Sequence, residues 1–327
     1  MTASITLASG DVPLLAAKAL RSLGCEIYVY SMGEDLPLLE ALLFRNILNF
    51  NRDLFNKRLY RCVKEFQPDI FFIYGSNWGI YPATLKKIKS KIGSKVILWE
   101  GNLNFWRWYQ SESLRHCDHL FTSDSYPIPL LKKETVGLKN VHLLCGGCDP
   151  EEHGKMTLSD SDQERFGADI TFIGGGRPNR RELFEHLIDY TIKLWGWGWD
   201  ESPALAPYMV RETVSGLKKT KIYNATKICP NLQSGLYQIY GLSCRIFEVA
   251  SCGRLPFSEP QQDLGLYFTP GEEVIVFNGP QDFKNKVAYY LSHPDEMNEM
   301  AERARARALR EHTYTHRMKE LLDIVLG

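Results

Sequence analysis

The stretch Asp169-Ile-Thr-Phe-Ile-Gly-Gly-Gly-Arg177 decides the fold class of this chain. Its first five residues are mostly apolar, as in a buried parallel strand. Three glycines follow, and then Pro178-Asn179-Arg180 opens a new segment in the way that a helix begins. A strand that leads through a tight turn into a helix is the repeating unit of parallel α/β sheets.

The same alternation of strand-like and helix-like segments extends over the rest of the chain. Ahead of the quoted stretch we predict strands at 4–8, 26–30, 69–74, 95–99, 119–122 and 141–144, and helices at 12–23, 37–66, 82–91, 106–115 and 129–136. After it we predict strands at 192–195, 226–230, 254–257 and 274–277, and helices at 244–251, 281–292, 295–311 and from 316 onwards. Parallel strands need crossover connections, so the pattern predicts an α/β protein with doubly wound sheets.

One segment interrupts the alternation. Residues 145–168 hold Gly146, Gly147, Pro150 and Gly154 and then a polar Ser-Asp-Ser-Asp run, a composition typical of a linker. The sequence therefore predicts a Rossmann-like domain over 1–150, a linker over 151–168 and a second Rossmann-like domain over 169–327. We expect the two domains to face each other across a cleft and the last helix to cross back to the first domain.

Composition excludes several classes of protein. Hydrophobic residues make up 44% of the 327 residues, and 39 basic side chains balance 39 acidic ones, so no nucleic-acid partner is expected. No signal peptide is recognisable at the N-terminus, and no apolar run approaches the ~20 residues of a membrane span. We predict a soluble, cytoplasmic protein, with peripheral membrane contact left open. The eight cysteines, including the lone pair Cys145 and Cys148, are expected to be small buried side chains.

The glycine-rich stretch is the first candidate for a phosphate site. Gly174, Gly175 and Gly176 allow a backbone to approach an anion closely, and the following helix start attracts negative charge. Arg177, Arg180 and Arg181 add guanidinium groups suited to phosphate oxygens. The residues also fit an ordinary glycine turn with surface arginines. Neither a Walker A loop nor a G-x-G-x-x-G fingerprint is present, because Asn179 stands at the place of the third glycine.

The second candidate is Gly241-Leu-Ser-Cys-Arg-Ile-Phe-Glu-Val-Ala-Ser-Cys-Gly253. Ser243 is predicted to cap a helix whose first turn carries Arg245. Glu248 lies three residues further and so on the same helix face. A guanidinium at this place suits a diphosphate, and a carboxylate one turn deeper suits a ribose diol. An i,i+3 salt bridge is the alternative.

These segments resemble the CgeB-like group of glycosyltransferases and, more broadly, the GT-B superfamily. The matching pieces are Asp169–Gly174 with Pro178-Asn179-Arg180, the Arg245–Gly253 block, Phe268–Glu273, and the ending from His293 to Arg317. The segment from Asn140 to Pro150 is similar to the interdomain strand of that superfamily. The resemblance covers the chain well from about residue 140 to the end.

The resemblance implies a hexosyltransferase that makes a polysaccharide or glycoconjugate. The second domain would hold a nucleotide-sugar donor, expected to be UDP-linked, and the first would hold a sugar, protein or small-molecule acceptor. By position, Glu248 would hold the ribose, Arg245 the diphosphate, and the glycines 174–176 would lie beneath the phosphates. Arg177, Asn179, Arg180 and Ser243 belong to the same matching segments. The base would stack near Trp195, Trp197 and Trp199, which fit a ligand platform and a packed core equally well.

The resemblance also bears on the chemistry. Such enzymes need no bound metal, because helix dipoles and arginines stabilise the leaving diphosphate. Tyr240 occupies the position of a second glutamate found in many retaining members, which favours inversion. An inverting reaction needs a general base. Asp11, after the first strand, is the first candidate, with helix capping as its alternative role, and Glu100, after the fourth, is the second.

Aromatic residues after Glu100 are a candidate acceptor site, and an amphipathic core helix explains them almost as well. They are Trp99, Phe105, Trp106, Trp108 and Tyr109. Two rival functions remain open at this point. One is an epimerase or sugar phosphorylase on the same fold, and the other is a non-catalytic protein that binds nucleotide sugars.

Overall fold

The protein consists of two compact units. The structure is a computed structural model that describes residues 2–7, 11–31, 48–75, 79–100, 112–133, 138–233 and 238–327. The first unit contains residues 1–145 together with 317–327, and the second contains residues 146–316. The last helix therefore begins in the second unit, and its residues from Arg317 onwards belong to the first.

The first unit is built on a six-stranded parallel sheet in the order β2-β1-β3-β4-β5-β6. The strands are β1 Thr2–Leu7, β2 Glu26–Ser31, β3 Ile70–Tyr74, β4 Lys95–Glu100, β5 His119–Thr122 and β6 Val141–Leu143. The middle strands are buried and nearly continuous in apolar residues, because helices cover both faces of such a sheet. Strand β2 lies on one side of β1, and β3 and the later strands lie on the other. The switch point of this sheet is therefore between β1 and β3.

The second unit has another six-stranded parallel sheet, in the order β9-β8-β7-β10-β11-β12. Its strands are β7 Ala168–Ile173, β8 Ile192–Trp195, β9 Met209–Val210, β10 Thr226–Asn231, β11 Pro256–Ser258 and β12 Ile275–Val276. Counted within the unit, this is the 3-2-1-4-5-6 order of dinucleotide-binding folds. The switch point lies between β7 and β10, and ligands of such sheets bind outside the carboxyl ends of the two strands.

Helices connect these strands. Within the described ranges they are α1 Asp11–Ser22, α2 Leu48–Phe66, α3 Pro82–Lys87, α4 Ile128–Lys132, α5 Asp160–Phe166, α6 Pro178–Glu185, α7 Gly216–Ala225, α8 Arg245–Ser251, α9 Gly279–Ser292, α10 Pro294–Glu311 and α11 Tyr314–Leu326. The predicted helices at 37–66, 106–115 and 129–136 lie partly outside the described residues. Among the described residues, no helix is both long and apolar enough to span a bilayer.

Two helices of the second unit were not predicted from the sequence. The polar run predicted as part of a linker forms α5, because the Ser159 side chain accepts a hydrogen bond from the Asp162 amide and Phe166 anchors the last turn in the core. Helix α7 was not predicted at all. Its sequence mixes β-branched and polar residues, and tertiary packing of Ile222 and Tyr223 stabilises it.

Two histidines form a pair on neighbouring strands of the first unit. His119 Nδ1 lies 3.3 Å from His142 Nε2, and the His142 ring stacks on Phe121. Burial lowers the pKa of both imidazoles; for His142 the charge of His119 adds to this effect. Below about pH 6.5 these two imidazoles therefore bind fewer protons in the folded protein than in the unfolded chain.

We expect thermal stability to fall as pH is lowered from 7 to 5, since the unfolded state then binds more protons than the folded one. The double variant His119→Phe with His142→Phe should show a smaller fall, measured as melting temperature against pH. His186→Gln, which alters an exposed histidine outside this pair, is the control and should leave the profile unchanged. Equal slopes in all three proteins would contradict the assignment.

Candidate functional site

The candidate site lies at the switch point of the second sheet. Strand β7 ends at Ile173, and the glycine turn, Gly174–Gly176, follows it directly. Strand β10 ends at Asn231, and the Arg180 side chain donates hydrogen bonds to the next two carbonyls, those of Leu232 and Gln233. Arg180 thus connects helix α6 to the carboxyl end of β10, across the position where doubly wound folds bind ligands.

Two guanidinium groups converge on this point, and we call Arg180 and Arg245 the arginine pair. Their Cζ atoms lie 4.8 Å and 4.4 Å from the centre of the Phe172 ring, a cation–π distance. A Cβ atom added to Gly174 would lie 3.6 Å from Arg180 Nη1 and 3.5 Å from Arg245 Nη2. Two cations thus face the first residue after strand β7.

Backbone carbonyls hold both members of the arginine pair in place. Arg180 also donates to the Gly175 carbonyl at 2.9 Å, and Arg245 Nη2 donates to the Ile173 carbonyl at 2.8 Å. The buried Nε atom of Arg245 has no hydrogen-bond partner among the described residues. A donor of this kind suits an anionic acceptor.

The electrostatics of the arginine pair favour an anion. Arg180 is only 8% exposed. Burial, followed by the charges of Arg245 and Arg177, lowers the pKa of Arg180 to about 9. Glu259 acts in the opposite direction, and its carboxylate already accepts the Gln233 amide. Because like charges are held close together in a partly buried place, binding an anion there relieves repulsion.

The glycine turn packs tightly against the loop after β8. The amides of Gly174 and Gly176 donate to the carbonyls of Trp195 and Trp197, so only part of the turn is left to face a ligand. Gly174 has a φ of 147°, and a Cβ at Gly176 would lie 2.7 Å from the Trp199 nitrogen. Glycine is required at both positions, by conformation at the first and by close approach at the second.

The other predicted residues of this segment have different surroundings. Arg181 donates to the carbonyls of Gly176 and Gly198 and pairs with Glu201 at 2.8 Å, so it braces the glycine turn. The exposed Asn179 donates from its amide side chain to the Gln233 carbonyl at 3.1 Å. Arg177 is half-buried and precedes α6.

Ser243 does not cap the helix that carries Arg245. Helix α8 begins at Arg245, its N-cap residue is Cys244, and no side chain caps it. The Ser243 hydroxyl only accepts a long bond of 3.4 Å from the Arg245 amide. The prediction of Ser243 as N-cap was wrong because the helix begins at Arg245, one residue later than predicted, and its N-cap residue is therefore Cys244.

Glu248 belongs to a buried carboxylate cluster of four side chains, His153, Lys219, Tyr223 and Glu248. The glutamate is 3% exposed. Its Oε1 accepts a hydrogen bond from Lys219 Nζ at 2.9 Å and lies 3.7 Å from His153 Nε2. Its Oε2 accepts a bond from the Tyr223 hydroxyl at 3.3 Å. The predicted alternative, an ion pair with Arg245, is not formed, and Lys219 is the partner instead.

This cluster keeps Glu248 ionised in spite of its burial. Burial raises the pKa of Glu248, but the charge and the hydrogen bond of Lys219, followed by the charge of Arg245, outweigh it and hold the pKa below its usual value. The carboxylate therefore stays a strong acceptor at neutral pH.

Sequence reasoning missed three members of the cluster, His153, Lys219 and Tyr223. Lys219, Ile222 and Tyr223 follow one another at i, i+3 and i+4, which places the lysine on the buried face of α7. That spacing was the available signal, and it required α7 to be predicted first. His153 stands in an irregular segment and gives no such signal.

The three tryptophans after β8 divide into two groups. Trp195 and Trp199 belong to the core: Trp195 packs against Phe166, and Trp199 packs on Phe172 and donates its indole N–H to the Gly174 carbonyl at 3.0 Å. Trp197 is 59% exposed, with the Arg211 guanidinium 5.9 Å from its ring. Only Trp197 is available as a platform for a ligand.

The two predicted bases lie in the first unit. Asp11 is the first residue of α1, which follows β1 at the switch point of the first sheet, and its side chain is half-buried. Glu100 is the last residue of β4, which pairs with β3 and β5, and it is 3% exposed. Both residues therefore lie at the carboxyl edge of the sheet, as the sequence pattern predicts.

The remaining predicted features are the aromatic residues after Glu100, the cysteine pair and the absence of a metal site. Phe105, Trp106, Trp108 and Tyr109 lie outside the described residues, whereas Trp99 is buried and donates its indole N–H to the Leu144 carbonyl. Cys145 and Cys148 are buried and do not form a disulfide. Within the described ranges, no three His, Cys, Asp or Glu side chains are grouped so as to hold a metal ion.

Comparisons with solved structures identify the fold. Sucrose-phosphate synthase from Thermosynechococcus elongatus matches with 12% identity and a TM-score of 0.71, over 99% of this chain and 98% of that chain. Anabaena HepE, in complex with UDP and glucose, matches with 9% identity and a TM-score of 0.68, over 100% and 99% of the chains. This chain therefore has the two-domain parallel α/β fold of GT-B glycosyltransferases, and the predicted fold class is confirmed.

The family comparison is more specific about the second half. Residues 177–323 match the family model Glyco_trans_1_2, described as glycosyl transferase-like. The matched segment contains the arginine pair, Lys219 and Glu248. A third structure of this fold is a putative UDP-N-acetylglucosamine 2-epimerase from Listeria monocytogenes, at 11% identity and a TM-score of 0.60, over 99% of this chain and 95% of that chain. A comparison with curated proteins found no match.

Proposed function

We propose that this protein transfers a hexosyl group from a UDP-sugar to an acceptor hydroxyl, with inversion and without a bound metal, and that it is of the CgeB-like type. The observation that carries the proposal is the convergence of Arg180 and Arg245 on Gly174, at the switch point of the second sheet. Two cations held by backbone carbonyls suit the diphosphate of a nucleotide sugar.

Each part of the donor has a candidate partner. The arginine pair would bind the diphosphate, and the ionised Glu248 would accept hydrogen bonds from the ribose hydroxyls. Trp197 offers an exposed ring on which the base can stack. The choice of uridine is supported by Anabaena HepE, a protein of similar fold that was solved with UDP-glucose.

The chemistry follows from the charges of these groups. A base in the first domain, Asp11 or Glu100, would take the proton of the acceptor hydroxyl, whose oxygen forms a bond to the anomeric carbon. The bond from that carbon to the diphosphate oxygen breaks, and UDP leaves with the electron pair. Arg180 and Arg245 would stabilise the charge that develops on the diphosphate, because they are already in place before the reaction.

The experiment is thermal unfolding in the presence of nucleoside diphosphates. We expect UDP, at a hundred times its dissociation constant, to add about 2.7 kcal/mol of stability. Addition of EDTA should not change this shift, because the arginines carry the charge that a metal would carry elsewhere. ADP and GDP are the matched controls and should shift the melting temperature less. A protein that responds to no nucleoside diphosphate would contradict the proposal.

The epimerase remains the second candidate function, because a putative UDP-N-acetylglucosamine 2-epimerase has the same fold. An epimerase needs no separate acceptor. A transferase should release UDP from its donor faster when a sugar acceptor is added, whereas UDP release that is independent of any acceptor would favour the epimerase.

A further inference from the structure

The buried carboxylate cluster brings together three separate segments of the second unit. His153 comes from the irregular segment before α5, Lys219 and Tyr223 from α7, and Glu248 from α8. All four residues are buried, and the contacts to Glu248 reach both of its oxygens. A buried carboxylate without such partners would be protonated at neutral pH and would lose much of its strength as an acceptor.

The cluster leaves part of the carboxylate unused. An ionised carboxylate has about four acceptor positions, and Lys219 and Tyr223 occupy one on each oxygen. His153 Nδ1 accepts the Asp149 amide, so a neutral His153 ring carries its proton on Nε2, the nitrogen that faces Glu248. These contacts orient the carboxylate without using all of its acceptor positions.

We propose that Lys219 is a positioning residue that holds Glu248 ionised and oriented for the donor ribose, without itself touching the donor. This inference rests on the proposed function. The bond between Lys219 Nζ and Glu248 Oε1, at 2.9 Å with both side chains buried, carries the inference.

Other charged and titratable groups also lie near Glu248. His153 and Tyr223 contact it directly, Arg245 lies one turn earlier on α8, and Cys252 lies one turn later. Lys218 is the neighbour of Lys219, but it pairs with Glu212 and lies over the Trp195 ring. Lys218→Met therefore removes the same charge from the same helix without altering the partners of Glu248.

The first experiment measures UDP affinity by calorimetry between pH 6 and 9. We expect Lys219→Met to weaken UDP binding about ten- to hundredfold at pH 6.5, because Glu248 then takes up a proton. The loss should diminish as pH rises and Glu248 ionises again. Lys219→Arg should restore most of the affinity, and Lys218→Met should keep the unmodified profile. A loss that is constant across this pH range would overturn the inference.

The second experiment separates positioning from direct contact. In a Glu248→Gln variant a neutral amide already replaces the carboxylate, so adding Lys219→Met should cause no further loss of UDP affinity. In the single variant Lys219→Met, Glu248 is a buried carboxylate without its cationic partner, which destabilises the fold. The double variant lacks this carboxylate and should therefore be more stable. A further loss of affinity in the double variant would show that Lys219 contacts the nucleotide directly and would overturn the inference.

A third measurement needs no nucleotide. We expect the difference in melting temperature between Lys219→Met and the unmodified protein to widen from pH 5 to pH 8, because folding then has to keep an unpaired Glu248 protonated. The Lys219→Met, Glu248→Gln double variant should not show this widening. If the unmodified protein binds no UDP, the proposed function fails. The pH dependence of the melting temperature still decides whether Lys219 keeps Glu248 ionised. A constant difference would refute that coupling.

Discussion

Replacing Arg245 with methionine is expected to weaken UDP binding by about 10- to 100-fold, the cost of losing charge-assisted hydrogen bonds to a phosphate. Methionine retains an unbranched apolar stem that can pack on the Phe172 ring, so the loss should come mainly from the charge. Isothermal calorimetry with UDP measures the affinity. Thermal unfolding without ligand verifies that the variant is folded.

Two further variants sharpen this result. Arg303→Met removes a guanidinium from the exposed side of α10 and should leave UDP affinity unchanged, which controls for net charge. Arg180→Met should weaken binding and also lower stability, because each of three backbone carbonyls loses one hydrogen bond from this side chain. If Arg245→Met and the unmodified protein bind UDP equally well, the diphosphate does not lie at the arginine pair.

Replacing Asp11 with asparagine is expected to slow glycosyl transfer by about 10²- to 10⁴-fold while leaving UDP affinity intact, as for the loss of a general base. Asp11 is half-buried at the first turn of α1, next to the switch point of the first sheet, so an acceptor bound at that edge can approach it. Glu100 is almost fully buried at the end of β4, and Glu100→Gln should have a smaller effect.

The measurement is the rate of UDP release from UDP-glucose, with water or an added sugar as acceptor. Asp160→Asn is the matched control, because Asp160 also stands in the first turn of a helix, α5, and is exposed. A larger effect from Glu100→Gln than from Asp11→Asn would exchange their roles. If both variants transfer at the unmodified rate, neither carboxylate is the base. The non-catalytic alternative instead expects no acceptor-dependent UDP release from any of these proteins, the unmodified one included.

The elements that the sequence predicted well are those with a strong local signal. Strand β3, an uninterrupted run of apolar residues, and strand β7 with its glycine turn were both predicted within one residue of their bounds. The long helices α9 and α10 also agree closely, because their apolar residues recur at helical spacing. Helix α7 lacks such a pattern and was not predicted, because it depends on packing against the core of the folded unit.

The candidate site divides in the same way. Gly174, Arg180, Arg245 and Glu248 were predicted from sequence, because glycine turns, arginines and helix spacing are visible in a linear pattern. Which groups those side chains contact was not visible. Arg180 reaches the carbonyls after β10, and Glu248 pairs with Lys219, which is 29 residues away in the chain.

The sequence by itself determined that two parallel sheets form, where the turn between β7 and α6 lies, and which arginines accompany it, since these depend on local periodicity and backbone freedom. The tertiary structure alone decided that two arginines share the Phe172 ring, that only Trp197 of three tryptophans is exposed, and that Glu248 pairs with a buried lysine. The interaction between two charges depends on the distance between them and on their burial. Both are set only when distant segments pack together.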